Sequence, residues 1–152
     1  DFYMDDPAMF PIYEALSAAG MIVVFHTGFD PGPFSNDHSL PHRLRAVHER
    51  FPGLTIVASH MGGHQVWDQV EEHLVGLPVY FETSTAPENL EKAAFVDMCR
   101  RHGMERILFG SDSPWFDQAF DRTWVEESGM SDRELELVFY ENAQRILDYS
   151  VP

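Results

Sequence analysis

Three residues with the side chains of metal ligands or proton carriers stand at the ends of apolar runs: His26 after 21–25, His60 after 54–58 and Asp112 after 106–109. Imidazole nitrogen and carboxylate oxygen are donors that Zn²⁺, Fe²⁺ and Mn²⁺ accept, and the same groups move protons near neutral pH. Taken singly, each has a plainer reading: a histidine hydrogen-bonded within the fold, or an aspartate shaping the turn between Ser111 and Ser113-Pro114. Their shared placement gives the stronger reading, because the carboxyl ends of parallel strands meet on one rim, where ligands bind. The expectation is that the two rings and the carboxylate converge on a common point.

The neighbours of these three residues fit a rim. Gly62-Gly63 follows His60, and two residues without side chains would let a substrate approach the backbone or a helix pack closely. His64 stands four residues after His60, but the glycine pair argues against one helix face carrying both, so they are not read as a zinc pair. Trp115 and Phe116 follow the Asp112 turn and could wall the site or simply pack. His64, Trp115 and Phe29 are taken as substrate-contact candidates. His38 and His42 are placed in the loop after the first run, and His48, His73 and His102 on solvated helix surfaces. The one cysteine, Cys99, allows no internal disulfide and reads as a structural thiol.

The elements that must position these residues alternate between helix and strand. Segment 8–19 sets Ile12, Tyr13 and Leu16 on one helical face, with Gly20 as its stop. Run 21–25 is continuously apolar and rich in β-branched residues, which predicts a strand buried on both faces. Segment 27–41 holds three Pro and two Gly and predicts a long loop. Helix resumes at Pro41 with Leu44, Val47 and Phe51 in register, and Pro52-Gly53 ends it. Run 54–58 is the second strand. Val66, Trp67, Val70 and Leu74 mark the next helix, and 79–81 the third strand, ending at Glu82-Thr83-Ser84. Ser84 or Thr85 is expected to cap a helix lined by Leu90, Ala94 and Met98 and closed by Gly103. Beyond the fourth strand, Ser131 and Glu134 form a capping box for a helix burying Leu135, Val138 and Ile146. Four βα units in series predict an α/β fold with a parallel sheet.

Composition narrows the partners. Ten Lys and Arg against 25 Asp and Glu give a formal charge of −15, which disfavours nucleic acid and anionic membrane surfaces. No apolar run approaches membrane-spanning length and no signal segment opens the chain, so a soluble cytoplasmic protein is expected. At 152 residues the chain has one core but falls short of the roughly 250 of a complete (β/α)₈ barrel.

Four stretches together resemble a known family: Val24-Phe25-His26-Thr27-Gly28, Ala58-Ser59-His60-Met61-Gly62-Gly63, Phe109-Gly110-Ser111-Asp112-Ser113-Pro114-Trp115 and Glu141-Asn142-Ala143-Gln144-Arg145-Ile146-Leu147. Their order and spacing, from about residue 8 to 149, are similar to the amidohydrolase-related branch of the metal-dependent hydrolase superfamily. That branch includes aminocarboxymuconate-semialdehyde decarboxylase. The resemblance implies that 1–152 is a single partial domain, the C-terminal half of a TIM-like (β/α)₈ barrel carrying strands five to eight. It implies one divalent metal, Zn²⁺ first and Mn²⁺ or Fe²⁺ as alternatives, and a small-molecule substrate that is hydrolysed or decarboxylated. His26 then matches the strand-five metal ligand, His60 the strand-six histidine of catalysis or ligation, and Asp112 the strand-eight aspartate that binds the metal and orients its water. No His-x-His occurs in the chain, although the family carries that ligand pair on strand one. The expectation is a piece of a longer enzyme lacking its N-terminal half. A complementary chain, self-assembly into a homo-oligomer, or an inactive structural half barrel are the alternatives.

Overall fold

The computed structural model describes residues 2–30, 32 and 37–147, so part of the loop expected over 27–41 lies outside the described residues. Four short strands, β1 (Ile22–Phe25), β2 (Thr55–Ala58), β3 (Tyr80–Glu82) and β4 (Ile107–Leu108), form one sheet in sequence order. All three pairings are parallel, with Phe25 opposite Ala58, Ala58 opposite Phe81 and Phe81 opposite Ile107. The connections carry helices, as parallel pairing requires.

Helix α1 (Phe10–Ala18), preceded by a 3₁₀ turn at Pro7–Met9, leads into β1, and α2 (Pro41–Arg50) connects β1 to β2. Helix α3 (Trp67–His73) connects β2 to β3, and α4 (Ala86–Asn89) with α5 (Lys92–His102) connects β3 to β4. The chain ends in α6 (Gln118–Glu126), α7 (Asp132–Glu136), a π-helical turn at Leu137–Glu141 and α8 (Asn142–Leu147). Ser131 caps α7 with the reciprocal Glu134 bond of a capping box.

One core lies between the sheet and these helices, built on Leu44, Ile56, Phe81, Phe95 and Ile107, each fully buried. Cys99 belongs to it, and burial pushes its thiol well above the ordinary range, so it packs as a small apolar group. Val57 and Leu108 are buried outside this cluster, which places them on the opposite face of the sheet from their neighbours Ile56 and Ile107.

Several sequence expectations change here. β1 is an edge strand, not one buried on both faces: Val24 is 64% exposed, and Met21 is also exposed and precedes the strand. In α1 only Tyr13 is buried, while Ile12 is half exposed and lines an open apolar groove with Phe2 and Met4. The helix expected around Leu90 divides into α4 and α5, with Leu90 in extended backbone between them. Of Leu135, Val138 and Ile146 only Val138 is buried. Its carbonyl accepts from the Phe109 backbone N–H at 3.0 Å, so the last strand's free edge is met by the π-helical turn.

His102, expected on the surface, is 1% exposed and stacks on Phe81 with ring centroids 3.7 Å apart. Its Nε2–H donates to the Val79 carbonyl at 2.9 Å and its Nδ1 accepts from the Gly76 N–H at 3.3 Å. Both nitrogens are satisfied only in the neutral ring, and burial holds its pKa down to about 4. The unfolded chain therefore binds a proton at this site between pH 6.5 and about 4 that the folded chain refuses. Its stabilising effect is complete above pH 6.5 and is lost as pH falls toward 4, a loss of about 3 kcal/mol at 1.36 kcal/mol per pKa unit. Urea unfolding of His102→Gln is expected to show a shallower acid loss of stability than the parent chain over that window. Equal slopes would contradict the account.

Candidate functional site

The carboxyl ends of the strands open into a cavity of about 660 Å³, lined by His26, His60, His64, Asp112, Trp115 and Phe116, with Thr85 at its wall. Four of the five sequence-selected polar and aromatic candidates beyond His26 thus meet it. Phe29 reaches the site differently, through its carbonyl, which accepts from His64 Nδ1 at 3.0 Å.

The sheet register does the assembling. The β1 and β2 ladder continues past its last pair, with the Ser59 N–H donating to the Phe25 carbonyl at 2.9 Å. This brings the next residues, His26 and His60, to 3.0 Å between Nδ1 and Nε2. His26 is exposed on the open side of the cavity, whereas His60 is only 6% exposed. Asp112 is exposed across from them, and its charge reaches His26. The backbone is left-handed at His60, Met61, Thr85 and Asp112, with φ between 53° and 61°. Non-glycine residues adopt this region at a cost, and clustering at strand ends is characteristic of functional sites.

Burial and the adjacent His26 and His64 rings press the His60 pKa down to about 4, leaving it neutral at physiological pH. Packing behind the ring also lowers the His26 pKa, while the carboxylates of Asp30 and Asp112 pull it upward.

Glu82 and Ser84 were not among the sequence-selected residues, although Glu82 obeys the same strand-end rule, closing β3. The Glu82 carboxylate accepts from the His60 N–H at 2.7 Å, the Ser84 N–H at 2.9 Å and the Ser84 hydroxyl at 2.6 Å. Ser84 Oγ lies 2.7 Å from His60 Nδ1. Its hydroxyl is thus engaged by the site rather than by the following helix, and Thr85, at the N-cap position, makes no side-chain capping bond either. Gly110 gives Glu82 its room: a Cβ there would sit 1.9 Å from Glu82 Oε2.

The other histidines take lesser places. His38 stacks on Tyr3 with centroids 4.7 Å apart, and His42 lies in α2, exposed, not in the loop. His26 and Asp112 offer one imidazole and one carboxylate toward a cation. Among the described residues no three His, Cys, Asp or Glu side chains form a group that could hold an ion. The three expected residues share a cavity without forming a complete ligand set.

A parallel α/β half barrel with polar strand ends is the class that this arrangement defines. The amidohydrolase family model matches residues 1–149, and the chain belongs to that family. It superposes on an uncharacterized TIM-barrel protein from Bordetella bronchiseptica with a TM-score of 0.77 at 23% identity, covering 97% of this chain and 52% of the other. 2,6-Dihydroxybenzoate decarboxylase from Rhizobium gives a TM-score of 0.70 at 18% identity, with 96% and 57% covered. Dihydroxybenzoic acid decarboxylase from Polaromonas, solved with bound manganese and the inhibitor 2-nitroresorcinol, gives 0.71 at 20% identity, with 96% and 55% covered. The chain spans about half the length of these proteins. No curated protein sequence matches it. Among the described residues no helix is long and apolar enough to cross a membrane.

The loops after β1 and β2 are pinned together by a backbone bridge between Gly28 and His64, the His64 N–H donating to the Thr27 carbonyl at 2.8 Å. A Cβ on Gly28 would fall 2.2 Å from the His64 nitrogen, and φ there is +101°. Gly20, at φ +64°, has nothing within 4 Å of its would-be Cβ. Gly28→Ala is expected to cost more than about 2 kcal/mol in thermal or urea unfolding, and Gly20→Ala about 1 kcal/mol. Equal costs would show that the bridge does not hold the rim.

Proposed function

We propose that this chain forms the C-terminal half, strands five to eight, of a metal-dependent enzyme that decarboxylates or hydrolyses a small carboxylic-acid substrate. The observation that carries the reading is the meeting of His26, His60 and Asp112 in one cavity at the carboxyl ends of four parallel strands. The manganese in the Polaromonas decarboxylase and the dihydroxybenzoate specificity in the names of two relatives support a divalent cation and favour an aromatic acid.

The donor set fits such a cation in part. His26 through a ring nitrogen and Asp112 through its carboxylate would hold it, and the remaining donors would come from outside this chain. Zn²⁺ and Mn²⁺ both suit an imidazole and carboxylate set. When bound, the cation supplies Lewis acidity that polarises a substrate or water oxygen.

The chain's own groups then do the rest. Trp115, 81% exposed, and Phe116 offer a flat apolar wall against which a planar substrate can lie. His60, neutral at rest and buried beside His26, would pass to the substrate a proton that it first takes up on Nε2. In decarboxylation the bond from carbon to the carboxylate breaks, carbon dioxide leaves, and that proton takes its place on carbon. In hydrolysis Asp112 would orient and deprotonate the attacking water.

The test uses the protein assembled with the strands that complete its barrel, screened on dihydroxybenzoates and unsaturated acids beside esters, lactones and amides. Metal-dependent turnover is expected, with kcat/KM falling by about 10²-fold or more in Asp112→Ala. An Asp112→Ala protein that keeps both its metal and full turnover would overturn the reading. A complete assembly that binds no metal and turns over nothing would favour a structural half barrel.

A further inference from the structure

We infer that Glu82 and Ser84 form a hydrogen-bond relay that fixes the tautomers of His60 and His26, placing the ring hydrogen of each on Nδ1. The two residues are positioning residues, acting through the rings.

The inference follows from counting hydrogens along one chain of contacts. The carboxylate of Glu82 can only accept, and both of its oxygens already take a backbone N–H, from His60 at 2.7 Å and from Ser84 at 2.9 Å. The Ser84 hydroxyl, 2.6 Å from Oε1, therefore donates to it. A hydroxyl has one hydrogen, so toward His60 Nδ1, 2.7 Å away, the Ser84 oxygen acts as acceptor. His60 must then carry its hydrogen on Nδ1. Its Nε2 is bare and accepts from His26 Nδ1 across the 3.0 Å contact, which needs one hydrogen and one lone pair. His26 then carries its hydrogen on Nδ1 toward His60, on a ring that lines the open cavity and also meets the Phe29 backbone.

The geometry that holds the relay is over-determined. Glu82 Oε2 occupies the space that a side chain at Gly110 would fill, with a would-be Cβ at 1.9 Å. Thr83 ties the same stretch to β4, its hydroxyl donating to the Gly110 carbonyl and accepting from the Gly110 N–H, both at 3.1 Å. A carboxylate that orients a histidine through an intermediate donor is a known way to set ring direction and tautomer where a ring nitrogen must meet a ligand. The tautomer assignment is independent of any bound ion. Its use in offering His26 to a cation rests on the function proposed above.

The test is the long-range ¹H–¹⁵N spectrum of the histidine rings in the full chain, without added metal, at neutral pH. The expected result is Nδ1–H for both His60 and His26, retained in Ser84→Thr, which keeps the hydroxyl. In Ser84→Ala the His60 preference is expected to be lost, with both tautomers populated. Finding Nε2–H on His60 in the parent chain overturns the inference whether or not either variant folds, and so does an unchanged Nδ1–H signal in a folded Ser84→Ala. Failure of turnover in the assembled enzyme with these tautomers intact would sink the proposed reaction and leave the relay standing.

Discussion

A single parallel register underlies the site. Because Phe25 sits opposite Ala58, the chain leaves two adjacent strands at the same height, and the first histidine beyond each can touch the other at 3.0 Å. Ser59 is the in-register neighbour of His26, and the left-handed backbone at His60, φ 61°, accompanies the meeting of the following ring with His26. The register in turn rests on the buried face beneath it, where Ile56, Phe81 and Ile107 pack on the helices and tolerate no sliding.

The same region concentrates the structure's conformational cost. Four non-glycine residues in left-handed backbone, a buried histidine and a carboxylate wedged against Gly110 would each disfavour folding if isolated. They are compensated by one another: the amide of left-handed His60 finds Glu82, that carboxylate finds Ser84, and Ser84 finds the His60 ring. The opposite, cavity-facing side is open. Val24 is 64% exposed on the edge strand, and His26 and Asp112 are exposed at the strand ends. Rigid support thus lies behind the rim and exposed donors in front of it.

The alternation of helix and strand was legible because its signals are local. Apolar runs, Gly20, Pro52-Gly53 and the Ser131 capping box each act within a few residues, and the structure repeats that order. The edge exposure of β1 was not legible, since a continuously apolar strand reads the same whether or not a neighbour exists to cover it. His102 was misplaced because helical spacing at a helix end does not reveal that Phe81, in another element, offers it a stacking face. The strand-end rule found His26, His60 and Asp112 but passed over Glu82, whose role depends on a hydroxyl two residues on and on a missing side chain at Gly110, a coincidence visible only in three dimensions.

The central claim is that the cavity between His26 and Asp112 draws a divalent cation. Paramagnetic broadening by substoichiometric Mn²⁺ in the ¹H–¹⁵N spectrum of this chain tests it most directly, since even weak binding to two donors localises the ion. Loss of the amide signals around His26 and Asp112 before all others is the expected result. Broadening confined to the acidic helix surfaces that a charge of −15 provides, with the strand-end signals untouched, would contradict the account.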